Sequence, residues 1–137
     1  MYKLNYKIRN KFIFYSLFVV LLTSILLIPL YSAKAYKNIS PEEIKQIASN
    51  PYSTALIVDV RTYKEFSNGH IPKSLNIPIN EFKNTILSKN IDKDTKIIIY
   101  CNNGVRAKNA SSLLDKLGFT NIYVLDQLNS WPYPLEY

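Results

Sequence analysis

Cys101 is the sole cysteine of this 137-residue chain, and it follows directly on the apolar run Ile97-Ile98-Ile99-Tyr100. Asn102-Asn103-Gly104-Val105-Arg106 come next, and the stretch from Ala107 to Leu117 has the pattern of a helix. A thiol at a strand end, a short loop and a helix N-terminus together have chemical consequences. Successive backbone N–H groups in such a loop can form an anion-binding nest, and the helix dipole adds positive potential there. Arg106 adds a permanent charge with forked donor geometry. These surroundings favour the thiolate, the form of cysteine that attacks. The loop therefore reads as a nucleophile beside a cradle for an anion. Asn102, Asn103, Gly104 and Val105 are expected to serve through their backbone amides, with side chains of little consequence. A cation in a first helical turn opposes the dipole, so Arg106 is expected to meet an anion.

The competing reading of Cys101 is an inert core thiol, since free cysteines often behave as small hydrophobes. His70 is the sole histidine and invites a Cys–His pair. One cysteine and one histidine do not make a tetrahedral metal site. Asp59, Arg61 and Glu65 look chemical, but their spacing suggests architecture. Arg61 and Glu65 stand four apart on a turn and can pair, and Asp59 can cap that turn.

The elements that must position these residues alternate in type. Tyr36 to Ser40 can make a first strand. Ser40-Pro41-Glu42-Glu43 is a capping box with proline at the first helical position, predicting a helix to about Ser49. Ala55 to Val60 is a continuous apolar run ending at Asp59, the pattern of a strand covered on both faces. A helical turn is predicted at Thr62 to Ser67, an extended piece at Leu75 to Pro78, and a helix at Asn80 to Ser88 with Phe82, Ile86 and Leu87 on one face. Lys96 to Tyr100 and Ile122 to Leu125 are further strands. Gly118 falls where a helix end wants a positive φ, with Phe119 as its hydrophobic partner. Strands alternating with helices predict an α/β domain, an open parallel sheet flanked by helices on both faces. In such sheets sites form at the carboxyl ends of strands, where Asp59 and Cys101 both fall.

The first 35 residues are of another kind. Lys3, Lys7, Arg9 and Lys11 precede an almost unbroken apolar stretch from Phe12 to Tyr31, then Ala33-Lys34-Ala35. That order predicts a secretory signal peptide cleaved after Ala35, or else a retained membrane anchor. Residues 36–137 are then one compact domain, exported to a periplasmic or other extracytoplasmic location. Five of the 17 basic residues and none of the 10 acids lie before residue 36, so the remainder carries a formal charge of +2. The overall +7 therefore does not indicate nucleic acid, and no basic stripe interleaved with aromatics occurs. Membrane contact is expected only if the first segment is retained. A single cysteine excludes an internal disulfide.

Three stretches carry a resemblance. Asp59-Val60-Arg61 with Glu65-Phe66, Gly69-His70-Ile71-Pro72 and Asn76-Ile77-Pro78 form the first; Cys101 to Ala107 forms the second; Trp131 after the last strand is the third. Together they make the chain resemble the rhodanese-like domains, most closely the small exported single-domain thiosulfate sulfurtransferases of the phage-shock type. The resemblance implies sulfur transfer through a Cys101 persulfide from a small anionic sulfur donor to a thiol, cyanide or protein acceptor. It implies no metal or organic cofactor, because sulfur is itself the carried group, and it makes His70 part of a structural loop. The chain departs from the family at Asp126-Gln127, where two glycines are usual, and at Lys73-Ser74, where Gly-Ala is usual. A persulfide-carrying module without efficient turnover needs the same loop. A cysteine-dependent phosphatase or arsenate-type enzyme is the remaining alternative. Its loops hold one residue more between Cys and Arg than the four here, Asn102 to Val105.

Overall fold

The computed structural model describes residues 2–26 and 35–137. The chain divides into two units, residues 1–33 and 34–137. In the first, Tyr2–Leu26 form helix α1. Its apolar residues Phe12, Phe14 and Tyr15 are about seven-tenths exposed. No helix among the described residues is long and apolar enough to cross a membrane. The end of the Phe12 to Tyr31 stretch and Ala33-Lys34 of the expected cleavage signal lie outside the described residues.

The second unit follows the predicted alternation. Its strands are β1 (Lys37–Asn38), β2 (Leu56–Asp59), β3 (Leu75–Asn76), β4 (Ile97–Tyr100) and β5 (Ile122–Leu125). All pair in parallel, in the order β1-β5-β4-β2-β3. Helices α2 (Pro41–Ser49), α3 (Tyr63–Ser67), α4 (Phe82–Ser88) and α5 (Val105–Lys116) connect them. The pleat sorts β4 between two cores. Ile97, Ile99 and Cys101 pack with Phe82, Ile86, Ala107, Ala110 and Leu114 from α4 and α5. Ile98 and Tyr100 pack on the opposite face with Ile44 and Ala48 from α2, Ile71 and Trp131. Each fully buried isoleucine contributes roughly 1.5–3 kcal/mol, so β4 is the spine that fixes where the chain leaves the sheet.

Local signals account for the helix ends. Ser40 and Glu43 close a capping box on α2, and Thr62 and Glu65 close another on α3. Gly118 (φ +86°) ends α5 in a Schellman motif, with Gly118 N–H donating to the Asp115 carbonyl at 2.9 Å and Phe119 N–H to that of Leu114 at 3.1 Å.

Three local expectations are corrected. Helix α5 begins at Val105, two residues before the expected start, because Gly104 (φ +80°) serves as its N-cap. Arg106 therefore sits inside the first turn. Leu87 is exposed, while Phe82 and Ile86 are buried, since a seven-residue helix presents only a narrow stripe. Thr62, not Asp59, caps α3.

Candidate active site

Asp59 and Tyr100 are register partners at the carboxyl ends of neighbouring β2 and β4, so the two sequence motifs leave the sheet side by side. Cys101 follows Tyr100, and its carbonyl accepts a hydrogen bond from Leu128 N–H at 3.1 Å. That bond ties the loop to the segment leaving β5. Gly104 is forced by the same neighbour, because a Cβ there would lie 2.5 Å from the Asp126 carbonyl oxygen. The departure Asp126-Gln127 thus borders the loop through backbone, and Lys108 reaches the Asp126 carboxylate at 3.4 Å.

Among the described residues, the N–H groups of Asn102, Asn103, Gly104, Arg106 and Ala107 have no acceptor, and that of Val105 has a 3.4 Å bond to Asn103 Oδ1. Backbone amides without a protein acceptor leave such a turn able to take an anion. Cys101 itself is fully buried and belongs to the core beneath α5.

Arg106 already has an acidic partner. Its two terminal nitrogens donate to Glu65 Oε2 and Oε1 at 2.7 and 2.8 Å, a bidentate pair. The Glu65 bonds hold the Arg106 guanidinium above its ordinary value against the effect of burial, with Cys101 acting in the same direction. Glu65 also accepts from Asn102 Nδ2 at 2.8 Å and from Thr62 N–H and Oγ1 at 2.9 Å. Chiefly through Arg106, and with Thr62, its carboxyl is lowered to about 2. The expected Arg61–Glu65 pair does not form. Arg61 lies before the N-cap of α3, off the helix, so an i,i+4 pairing has no helical geometry to support it.

Arg61 instead closes on Asp59. Its Nε lies 3.0 and 2.9 Å from the two carboxylate oxygens, and Nη2 lies 2.6 Å from Oδ2. The same guanidinium donates to the Gly69 carbonyl at 2.8 Å and to Asn102 Oδ1 at 3.4 Å. Asp59 and Arg61 are both buried, and Arg61 reaches the loop at Asn102. The Asn102 side chain, expected to be idle, bridges Arg61 and Glu65. The Asn103 side chain makes only a local 3.4 Å contact, its Oδ1 accepting from Val105 N–H.

His70 is held by its neighbours. Its ring stacks on Phe66 with centroids 3.7 Å apart, Nδ1 lies 3.1 Å from the Phe66 carbonyl, and its backbone exchanges hydrogen bonds with Glu136. Lys73 adopts φ +61° where the family usually has glycine, and the Ser74 hydroxyl bonds the Ile71 carbonyl and the Tyr100 hydroxyl at 2.6 and 2.9 Å. Burial, with Asp59, pushes that tyrosine hydroxyl up. Glu65 is the site residue that spacing alone misassigns. Its visible signal was the Thr62-x-x-Glu65 capping box, which fixes its backbone but not the cation its carboxylate meets.

Residues 40–128 match the family model of the rhodanese-like domain. The chain belongs to that family. It is 32% identical over 109 residues to a putative mitochondrial thiosulfate sulfurtransferase of Schizosaccharomyces pombe, covering 67% of this chain and 76% of that one. It is 35% identical over 86 residues to the tRNA uridine(34) hydroxylase of Sodalis glossinidius, covering 60% of this chain. The match spans about a quarter (24%) of that relative's length. The fold superposes on the single-domain sulfurtransferase RDL2 of Saccharomyces cerevisiae with a TM-score of 0.62 and 26% identity, covering 72% of this chain and 90% of that one.

Proposed function

We propose that this chain is a sulfurtransferase that moves sulfane sulfur from thiosulfate or a related donor to a thiol, cyanide or protein acceptor. The observation that carries the reading is Cys101 at the base of a turn, Asn102 to Ala107, that contains Arg106 and five amides without an acceptor among the described residues. The Cys101 thiolate attacks the outer sulfur of the donor. The Sγ–S bond forms, the donor's S–S bond breaks, and sulfite leaves with the electron pair. The loop amides hold the charged terminal sulfur. An acceptor thiolate then attacks that sulfur and Cys101 leaves as thiolate, a two-step transfer with ping-pong kinetics. Similarity to proteins named as thiosulfate sulfurtransferases supports the reading.

Intact mass before and after thiosulfate tests it. Wild type gains one sulfur, Cys101→Ser gains none, and a thiol acceptor removes the adduct. Absence of the adduct, or an adduct in the serine variant, sinks the assignment. A second reading is a persulfide-carrying domain that serves a larger reaction, favoured by the match to about a quarter of a tRNA uridine(34) hydroxylase. Its mark is a stable adduct with negligible turnover across several acceptors.

The proposal extends to residues 1–35 as an export signal of the phage-shock type. The cationic start and the exposed apolar residues of α1 support it. N-terminal sequencing of protein from the exported fraction is expected to begin at Tyr36. An intact N-terminus in a membrane fraction establishes an anchor, and full-length protein in the cytoplasm removes the export reading.

A further inference from the structure

Every cation that borders the Cys101 loop through a contact described above already has its acid. Arg61 meets Asp59 at 2.6 Å, Arg106 meets Glu65 at 2.7 Å, and Lys108 meets Asp126 at 3.4 Å. The Arg106 pair matters most to an arriving donor, because both terminal nitrogens of the guanidinium are engaged by one carboxylate. That carboxylate is held on four sides, by Arg106, Asn102 Nδ2, Thr62 N–H and Thr62 Oγ1. An anion entering the turn therefore meets backbone amides and an Arg106 whose charge is matched by Glu65.

We infer that Glu65 is a positioning and specificity-determining residue that tunes the Cys101 loop toward sulfur donors of low charge, small persulfides, over doubly charged thiosulfate. The inference rests on the sulfurtransferase reading above. Its physical basis is the charge gathered at the moment of attack. A Cys101 thiolate and thiosulfate bring three negative charges to a turn that already holds the Glu65 carboxylate. A thiolate and a protonated alkyl persulfide bring one. In the persulfide reaction the Sγ–S bond forms, the donor S–S bond breaks, and the alkyl thiolate leaves with the electron pair while the proton stays on the transferred sulfur. Repulsion between charges a few ångströms apart remains substantial at the effective dielectric of a partly shielded site. Closing Arg106 onto Glu65 cancels the attraction that would otherwise repay thiosulfate for its second charge.

The bland alternative makes Glu65 a scaffold that caps α3 and anchors Asn102. Glu65→Gln separates the two. Glutamine is competent in a capping box, keeps an acceptor for Arg106 and Asn102, and removes the charge. The ratio of kcat/KM for thiosulfate to that for a freshly generated alkyl persulfide should rise by about five- to tenfold over wild type. Glu65→Asp keeps the charge, so its ratio should stay within about twofold of wild type even if both rates fall. A ratio that is unchanged or lower in Glu65→Gln overturns the inference, since scaffold damage reduces both rates alike. Should the glutamine variant not fold, salt dependence of the wild type decides. A thiosulfate rate that holds or rises with ionic strength supports a turn without a free cation. A steep fall shows an open cation steering the donor and overturns it. Intact mass of the wild type after each donor distinguishes the two levels of failure. If neither donor leaves sulfur on the protein, the sulfurtransferase reading fails and takes this inference with it. If both do and the ratio does not move, the role of Glu65 alone is lost.

Discussion

Glu65 and Arg106, separated by 41 positions in the sequence, close on each other through two hydrogen bonds of 2.7 and 2.8 Å. One lies in the third helical position of α3 and the other in the first turn of α5. The pair joins the two sequence motifs at the point where the loop around Cys101 ends. Asn102 strengthens the link by donating to Glu65 and accepting from Arg61.

Arg106→Ala leaves the Glu65 carboxylate without its cation beside the reacting sulfur. An unmatched carboxylate there repels a doubly charged donor, so catalytic efficiency with thiosulfate should fall by about tenfold or more. The loss should be smaller with an alkyl persulfide, and Arg106→Lys should recover part of it, because an ammonium supplies the charge but not the fork. Equal losses with both donors would assign Arg106 a purely structural role.

Asp59→Asn removes one partner from a buried ion pair. Uncompensated burial of Arg61 should cost about 3–5 kcal/mol, read as a lowered urea midpoint. Turnover per folded molecule should stay within about threefold of wild type. A large turnover loss with an unchanged midpoint would move Asp59 into the chemistry.

Gly104→Ala forces a side chain into left-handed backbone and against the Asp126 carbonyl at 2.5 Å. The backbone cost is about 1–2 kcal/mol, and the clash moves the turn, so sulfur transfer should fall by about tenfold or more. Gly118→Ala is the control. Its φ of +86° carries a similar backbone cost, but nothing lies within 4 Å of the new Cβ. It should lower the melting temperature while sparing turnover. Similar activity losses in both variants would show that the turn around Cys101 has no special need for glycine.

Glu65 is lowered from its ordinary 4.5 to about 2, chiefly by Arg106 and further by Thr62. A carboxylate depressed on folding adds stability that is present above the unfolded-state value and lost as pH falls through the folded one. The window is therefore pH 4.5 down to about 2. Solvent screening reduces the contribution to the order of 1 kcal/mol. In urea titrations at stepped pH, wild type should lose more stability than Glu65→Gln across this window and run parallel to it below. Parallel curves throughout would mean that the pair adds nothing to folding.

What was legible in the sequence was local or periodic. Ser40 with Glu43 and Gly118 with Phe119 each satisfy backbone groups within a few residues, so their spacing reports the structure directly. The apolar runs of β2 and β4 likewise state that both faces are covered, and a parallel sheet brings Asp59 and Cys101 to the same edge. The tertiary structure decided which charges meet. Arg61 had acids at two and four residues' distance and turned to Asp59, because its own place lies before the first turn of α3. Glu65 was thereby free for Arg106, a contact that exists because β2 and β4 are neighbours. The side-chain role of Asn102 follows from the same adjacency. A charged side chain reaches several ångströms in any direction and carries no periodicity, so its partner is set by which strands pair, and that choice is made by the whole core.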